Sequence, residues 1–183
     1  MRNQLILALI AISLFSCKNN EQHIKGKITG GHGEMLYLYG FRDGEDLILD
    51  SAIIGEDDSF DLIPTKSLYK DIYRLGLHEN DFLILITDSS EHVEVDAKFG
   101  ELKNPISIAG SPSSEKVSVF MKSINTPLEE MFELMTQEDS SQESRILELQ
   151  KSIENTTRLY LEENFSDPSA LIAIQYLDPL HHL

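Results

Sequence analysis

The chain has 183 residues, a formal net charge of −16 at pH 7 and a single cysteine. One cysteine excludes an intramolecular disulfide, a Cys-x-x-Cys redox pair and a thiolate zinc site. A strongly acidic surface is repelled by nucleic acid and by anionic lipid headgroups, so we expect no nucleic-acid partner.

The N-terminus has the features of an export signal. Residues 1–16 carry one positive charge, Arg2, and then an apolar run too short to span a bilayer. The tetrapeptide Leu14-Phe15-Ser16-Cys17 matches the lipobox of bacterial lipoprotein signals. We therefore predict a signal peptide over residues 1–16, lipidation with palmitate at Cys17 and an anchor linker over residues 17–22. The alternative is a short N-terminal membrane helix with an incidental cysteine.

These predictions imply a cellular location for the chain. Removal of the leader, whose only charged residue is Arg2, leaves 167 residues and a net charge of −17. That length suffices for one or two small domains with a core. We expect the mature chain to lie in the cell envelope, held by its lipid to a bacterial membrane. The expected place is the periplasmic face of the outer membrane.

Residues 23–110 form short apolar runs separated by turn residues, which predicts a β-rich domain. We expect about eight strands in an antiparallel β-sandwich or barrel. The predicted strands cover residues 23–29, 35–41, 47–55, 59–63, 71–78, 82–87, 91–97 and 105–109.

Three segments of this domain give finer expectations. Residues 91–97 alternate strictly, which predicts a strand with one solvated face. Residues 82–86 are apolar without alternation, which predicts a central strand covered on both faces. The glycines of 30–33 can take the positive φ angles of a hairpin turn between the first two strands.

After residue 110 the apolar period becomes helical, which predicts a boundary and a helical region over residues 111–183. The first helix should be capped by Ser111 with Pro112 at its first position, and Pro127 should kink or divide it. The second should begin at a capping box of Ser140 and Glu143 and end near residue 164. The two would form a helical hairpin, which completes an α+β fold.

A short third helix should start at Asp167, with Pro168 at its first position. It is apolar most of the way round, so we expect the first two helices or a missing neighbour to cover it. The first helix carries a Met-rich stripe that includes Phe120, Met121, Met131 and Met135. The stripe forms core packing or, alternatively, a partner-binding face; a homodimer is left open.

The sequence offers little support for catalysis or cofactor binding. Its six histidines lack the spacing of a metal site, no Gly-x-Ser-x-Gly elbow occurs, and the glycines of 30–33 lack the Lys-Ser/Thr ending of a phosphate loop. We therefore expect no metal, no cofactor and no catalytic residue.

The mature chain resembles the N-terminal region of TlpA-like, AhpC/TSA-type thiol-disulfide oxidoreductase lipoproteins of Bacteroidetes-like bacteria. Besides the lipobox, the similar segments are Ile24-Lys25-Gly26-Lys27-Ile28-Thr29-Gly30, Met35-Leu36-Tyr37-Leu38-Tyr39, Asp50-Ser51-Ala52-Ile53-Ile54, Asp57-Asp58-Ser59-Phe60 and Asp167-Pro168-Ser169. One turn departs from the pattern, because Asp-x-x-Gly-x-Phe lacks its glycine ahead of Phe60.

In that family a β-rich domain of unknown function and a helical linker precede a thioredoxin-like domain with a Trp-Cys-x-x-Cys active site. That active site is absent here, so the resemblance transfers no catalytic residue. It implies a non-catalytic, lipid-anchored protein that positions or recruits a thioredoxin-like partner or a missing thioredoxin-like domain. The alternative is a stand-alone solute-binding or structural lipoprotein of the envelope.

Overall fold

The computed structural model describes residues 22–178 except Asp43, Glu79, Glu138 and Asp139. The predicted signal peptide, the lipidation site Cys17 and most of the anchor linker lie outside the described residues. Within them, the strands are β1 Ile24–Thr29, β2 Met35–Arg42, β3 Glu45–Ile53, β4 Ser59–Leu62, β5 Asp71–His78, β6 Asp81–Thr87, β7 Val93–Lys98 and β8 Ser107–Ala109. The helices are α1 Pro112–Thr136, α2 Glu143–Asn164 and α3 Ala170–Ala173, with 3₁₀ turns at Ser140–Gln142 and Ile174–Leu177.

The strands form two four-stranded sheets, which confirms the α+β class. Their orders are β4-β1-β7-β8 and β3-β2-β5-β6, and no pairing of described residues closes them into a barrel. One apolar core takes side chains from both sheets, including Ile28, Leu38, Leu75 and Val95. Most pairs are antiparallel as predicted, but β1 and β7 run parallel, so the expectation of a purely antiparallel unit is wrong.

Close approach of β1 to β7 depends on one glycine. Gly26 has a φ of +153°, and a Cβ atom placed there would lie 1.8 Å from the carbonyl oxygen of Val95. Only glycine fits such a contact. Gly30 and Gly33 have the predicted positive φ angles, but they join β1 to β2 across the two sheets instead of forming a hairpin.

The alternation predicted for residues 91–97 is confirmed in β7, where Val93, Val95 and Ala97 are buried and the residues between them are exposed. The prediction for residues 82–86 is wrong in one respect. β6 is an edge strand, not a central one. Its two faces are nevertheless covered, because α1 packs on the outer side through Val117, which contacts Ile86.

Two serine hydroxyls at the start of α1 form hydrogen bonds with the backbone of the edge strand β6. The hydroxyl of Ser114 accepts the Ile86 amide at 2.8 Å, and the hydroxyl of Ser111 donates to the Ile86 carbonyl at 2.7 Å. Ser111 occupies the predicted N-cap position, but its side chain makes no capping hydrogen bond. The Ser111 hydroxyl, which was predicted to cap α1, therefore joins α1 to β6 through a hydrogen bond.

The helices differ from the predictions at their ends. α1 continues through Pro127 without division, and the α-helical part of α2 begins at Glu143 with Gln142 as N-cap and no side-chain cap. α3 begins at Ala170, not at Asp167, because residues 167–169 form a turn in which the Ser169 amide donates to Asp167 Oδ1.

Candidate functional site

The predicted partner-binding face is mostly inside the chain's own core. Phe120 and Met131 are buried among α1, α2 and α3, and the ring of Phe120 lies 4.7 Å from the ring of Tyr160, centroid to centroid. Met121 is half-buried and packs on the same core, while Met135 is exposed. Phe120 and Met131 therefore pack within the chain and offer no accessible surface to a partner.

A cavity of about 210 Å³ lies between α1 and β6. Phe82, Ile84 and Met121 are among its apolar lining residues, and Asn125 is among its polar ones. The amide nitrogen of Asn125 donates to Asn104 Oδ1 at 2.7 Å, which ties α1 to the segment before β8. This volume falls below that of typical ligand sites, about 300–1,000 Å³.

A strongly apolar groove of about 530 Å³ lies on the helical region, and we call it the helical groove. Six of its seven lining residues are apolar; it is lined by Leu161, Glu162, Phe165, Ala170, Leu171, Ile174 and Leu177. Phe165 is 82% exposed, Leu171 61% and Ile174 53%. Exposed apolar side chains gathered around one groove make it a candidate interaction surface.

Polar contacts fix the turn that carries the helical groove. Asp167 forms an ion pair with Lys116 of α1 at 2.8 Å, and the Tyr160 hydroxyl lies 2.5 Å from Ser169 Oγ. Burial opposes ionisation of Asp167, but hydrogen bonds from Lys116 and from Ser169 outweigh it and lower the pKa to about 2. At neutral pH the carboxylate is charged and joins α1 to the turn before α3.

A second groove, of about 480 Å³, lies at one end of the β3-β2-β5-β6 sheet, and we call it the sheet-end groove. It is bounded by the β2–β3 hairpin, by the segment before β5 and by β5 itself. Its lining combines aromatic rings, aliphatic side chains and two cations, Arg42 and Lys66. The lining of this groove therefore contains more polar residues beside its apolar ones than the lining of the helical groove does.

The histidines do not form a metal centre in the part of the chain that the structure describes. His23 Nδ1 lies 2.8 Å from Asp61 Oδ1, and the rings of His23 and His92 are 6.1 Å apart. Among the described residues, no group of three or more His, Cys, Asp or Glu side chains could hold a metal ion. His181 and His182 lie outside those residues.

The helices of the described residues are too short or too polar to cross a membrane. No family model, no curated protein and no solved structure matches this chain. Its function therefore has to follow from the two grooves and from the sequence.

Sequence reasoning found one groove in part and missed the other. The apolar character of the third helix pointed to the helical groove, although Phe165 was not included. The sheet-end groove gave no comparable signal, because its residues come from three separate segments. Two isolated cations, Arg42 and Lys66, were the only available sign.

Proposed function

We propose that this protein is a non-catalytic, lipid-anchored lipoprotein of the cell envelope. In this proposal its helical region recruits a thioredoxin-like thiol-disulfide oxidoreductase. The single observation that carries the proposal is the exposed helical groove. Cys17, the only cysteine, would hold the lipid, so thiol exchange would belong to the partner. The two four-stranded sheets around one core support a β-sandwich as the platform.

The chemistry of the helical groove favours a protein as its occupant. Its apolar lining gains free energy when covered, at about 25 cal/mol for each Å² removed from water. Glu162 lies in the lining and Glu163 beside it is exposed, in a chain of net charge −16. A partner with an apolar patch and a basic rim complements this surface.

Rigidity of the groove also supports docking. The contacts of Lys116 with Asp167 and of Tyr160 with Ser169 hold the turn between α2 and α3 in one arrangement. A surface that is already ordered loses less conformational entropy on binding than a flexible one.

The docking proposal is tested by a photo-crosslinking amino acid at Leu171 in the full chain, with Val119 as the control position. Val119 is 69% exposed on α1 and lies outside the helical groove. We expect Leu171 to capture a protein with a thioredoxin-like Cys-x-x-Cys domain and Val119 to capture none.

Purified components provide the quantitative step. Binding of the captured oxidoreductase should weaken about tenfold or more with Leu171→Glu, because a charge then enters an apolar contact. Capture of a second copy of this chain alone, or unchanged binding by Leu171→Glu, contradicts the proposal.

The anchor is tested separately with labelled palmitate. We expect label in the wild-type protein and none in Cys17→Ser. Equal labelling of both proteins would remove the anchor from the proposal and leave the docking surface to be judged by the crosslinking result.

A further inference from the structure

The sheet-end groove has the dimensions of a small-ligand site. Its volume of about 480 Å³ falls within the range of about 300–1,000 Å³ that is typical of such sites. Leu47 and Leu49 of β3 and Tyr73 of β5 supply apolar surface. Gly40 of β2 leaves room for the Leu49 side chain, since a Cβ atom there would lie 3.0 Å from Leu49 Cδ1.

A β-bulge places one of these leucines. Leu38 pairs with Asp50 and Tyr39 pairs with Ile48, so Leu49 is an extra residue between the two pairs. Its side chain packs on the core of the sheets and lines the groove. Bulges redirect side chains and are frequent beside functional sites.

The opposite wall of the groove is fixed in position. Leu68 is buried, and its carbonyl accepts the Ser89 amide at 3.0 Å. The Tyr73 hydroxyl donates to the Tyr69 carbonyl at 2.8 Å, and burial raises the pKa of Tyr73 above its ordinary value. These contacts leave the ring of Tyr69 84% exposed beside the groove. A ligand would meet a wall that is already formed.

Two cations that form no ion pair with any described residue border this groove. Eight of the thirteen Lys and Arg side chains in the described residues form ion pairs, whereas Arg42 and Lys66 form none. Among the described residues of the lining, Asp71 is the only carboxylate, and its Oδ1 accepts the Ile72 amide at 2.8 Å. Glu45 stands opposite Arg42 in the β2–β3 ladder. The described residues of the lining thus carry an excess of positive charge on an acidic protein.

We propose that the sheet-end groove binds a small organic anion with an apolar body. The body packs between the exposed ring of Phe41 and the ring of Tyr69, over the leucines of β3. One carboxylate, sulfonate or phosphate group faces Arg42 and Lys66. The site is separate from the helical groove and does not depend on the oxidoreductase proposed above.

The test uses two fluorescent probes of similar ring size. One is 8-anilinonaphthalene-1-sulfonate, an aromatic anion, and the other is N-phenyl-1-naphthylamine, which is uncharged. All titrations use the Leu171→Glu background, in which a like charge keeps the anionic dye from the helical groove. The double substitution Arg42→Gln with Lys66→Gln should weaken sulfonate binding about tenfold and leave binding of the uncharged dye unchanged.

A matched control has the same change in net charge. Lys27 and Lys151 are exposed, form no ion pair among the described residues and lie outside the groove lining. The double substitution Lys27→Gln with Lys151→Gln should leave sulfonate binding unchanged. Removing the opposing charge with Asp71→Asn should tighten sulfonate binding, because repulsion at the rim is lost.

The position of the bound dye gives an independent measurement. In methyl NMR spectra, we expect the sulfonate dye to shift the resonances of Leu47 and Leu49. Equal weakening in both double variants, no weakening in either, or shifts confined to Leu161 and Leu177 of the helical groove would each overturn the proposal.

Discussion

The sheets and the helices differ in the size of the apolar core that each of them buries. In the described residues, seventeen buried apolar side chains form the core of the sheets, whereas six form the main helical core. The helices also leave Phe165, Leu171 and Ile174 exposed around one groove. The sheets thus build a core of their own, while the helices pack on the sheet beneath them and leave one apolar groove uncovered.

The largest effect is expected from a substitution that disrupts the pairing of strands in one sheet. Gly26→Ala forces a Cβ atom against the Val95 carbonyl and must separate β1 from β7. We expect a loss of about 4 kcal/mol or more in the free energy of unfolding, measured by urea denaturation. The control is Gly33→Ala, where a positive φ also applies but no atom lies within 4 Å, so the loss should be about 1 kcal/mol. Equal losses would show that the close contact has no special effect.

The second test concerns the junction between the two regions. Ser114→Ala leaves the buried Ile86 amide without its partner, which should cost about 2 to 3 kcal/mol. Helix content by circular dichroism and strand signals by NMR should report the same lower urea midpoint if the helices depend on the sheet. Ser123→Ala removes only a local hydrogen bond to the Phe120 carbonyl of the same helix, leaves no amide without its partner and should have little effect. A lower midpoint for the helices alone would contradict the dependence.

The third test titrates the contact that fixes the helical groove. The folded pKa of Asp167 is about 2, below its ordinary value of 3.8, so its contribution of about 2 kcal/mol is complete above pH 4. That contribution is lost as the pH falls from about 4 to about 2. Asp167→Asn should lower stability at pH 7 by about this amount and flatten the acid dependence, whereas Glu163→Gln, on the exposed surface, should do neither. An unchanged acid profile in Asp167→Asn would exclude the ion pair as a stabilising contact.

The smallest effect is expected from a substitution that stabilises the sheets and leaves the helices unchanged. Asp58 adopts a φ of +64°, which is the left-handed region that favours glycine. Asp58→Gly should therefore raise the free energy of unfolding by about 0.5 to 1 kcal/mol, measured by urea denaturation. A decrease would mean that the Asp58 side chain contributes more than the strain costs.

The turn at Asp58 shows why some of the fold could be predicted and some could not. The Asp57 carboxylate accepts the amide and the hydroxyl of Ser59, and those bonds lower its pKa. Local bonding of this kind is encoded by neighbouring residues, so a turn could form without glycine. Strand alternation in β7 is equally local, and it was predicted correctly.

The pairing partners of the strands could not be predicted from local sequence in this way. An apolar strand such as β6 has the same pattern whether a strand or a helix covers its outer face, so its position at the edge was missed. Parallel pairing of β1 with β7 joins distant segments that alternate like any antiparallel pair. The sheet-end groove was missed for the same reason, because the bulge at Leu49 and the segment holding Lys66 meet only in the folded protein.

The position of β1 has a mechanical consequence. It is an inner strand, hydrogen-bonded to β4 on one side and to β7 on the other, and it is the first strand of the described chain. A pull along β1 from the N-terminal side loads both ladders in shear at once, because their hydrogen bonds lie across the direction of the pull. A protein tethered through Cys17, as proposed, would resist traction at the membrane surface without peeling open strand by strand.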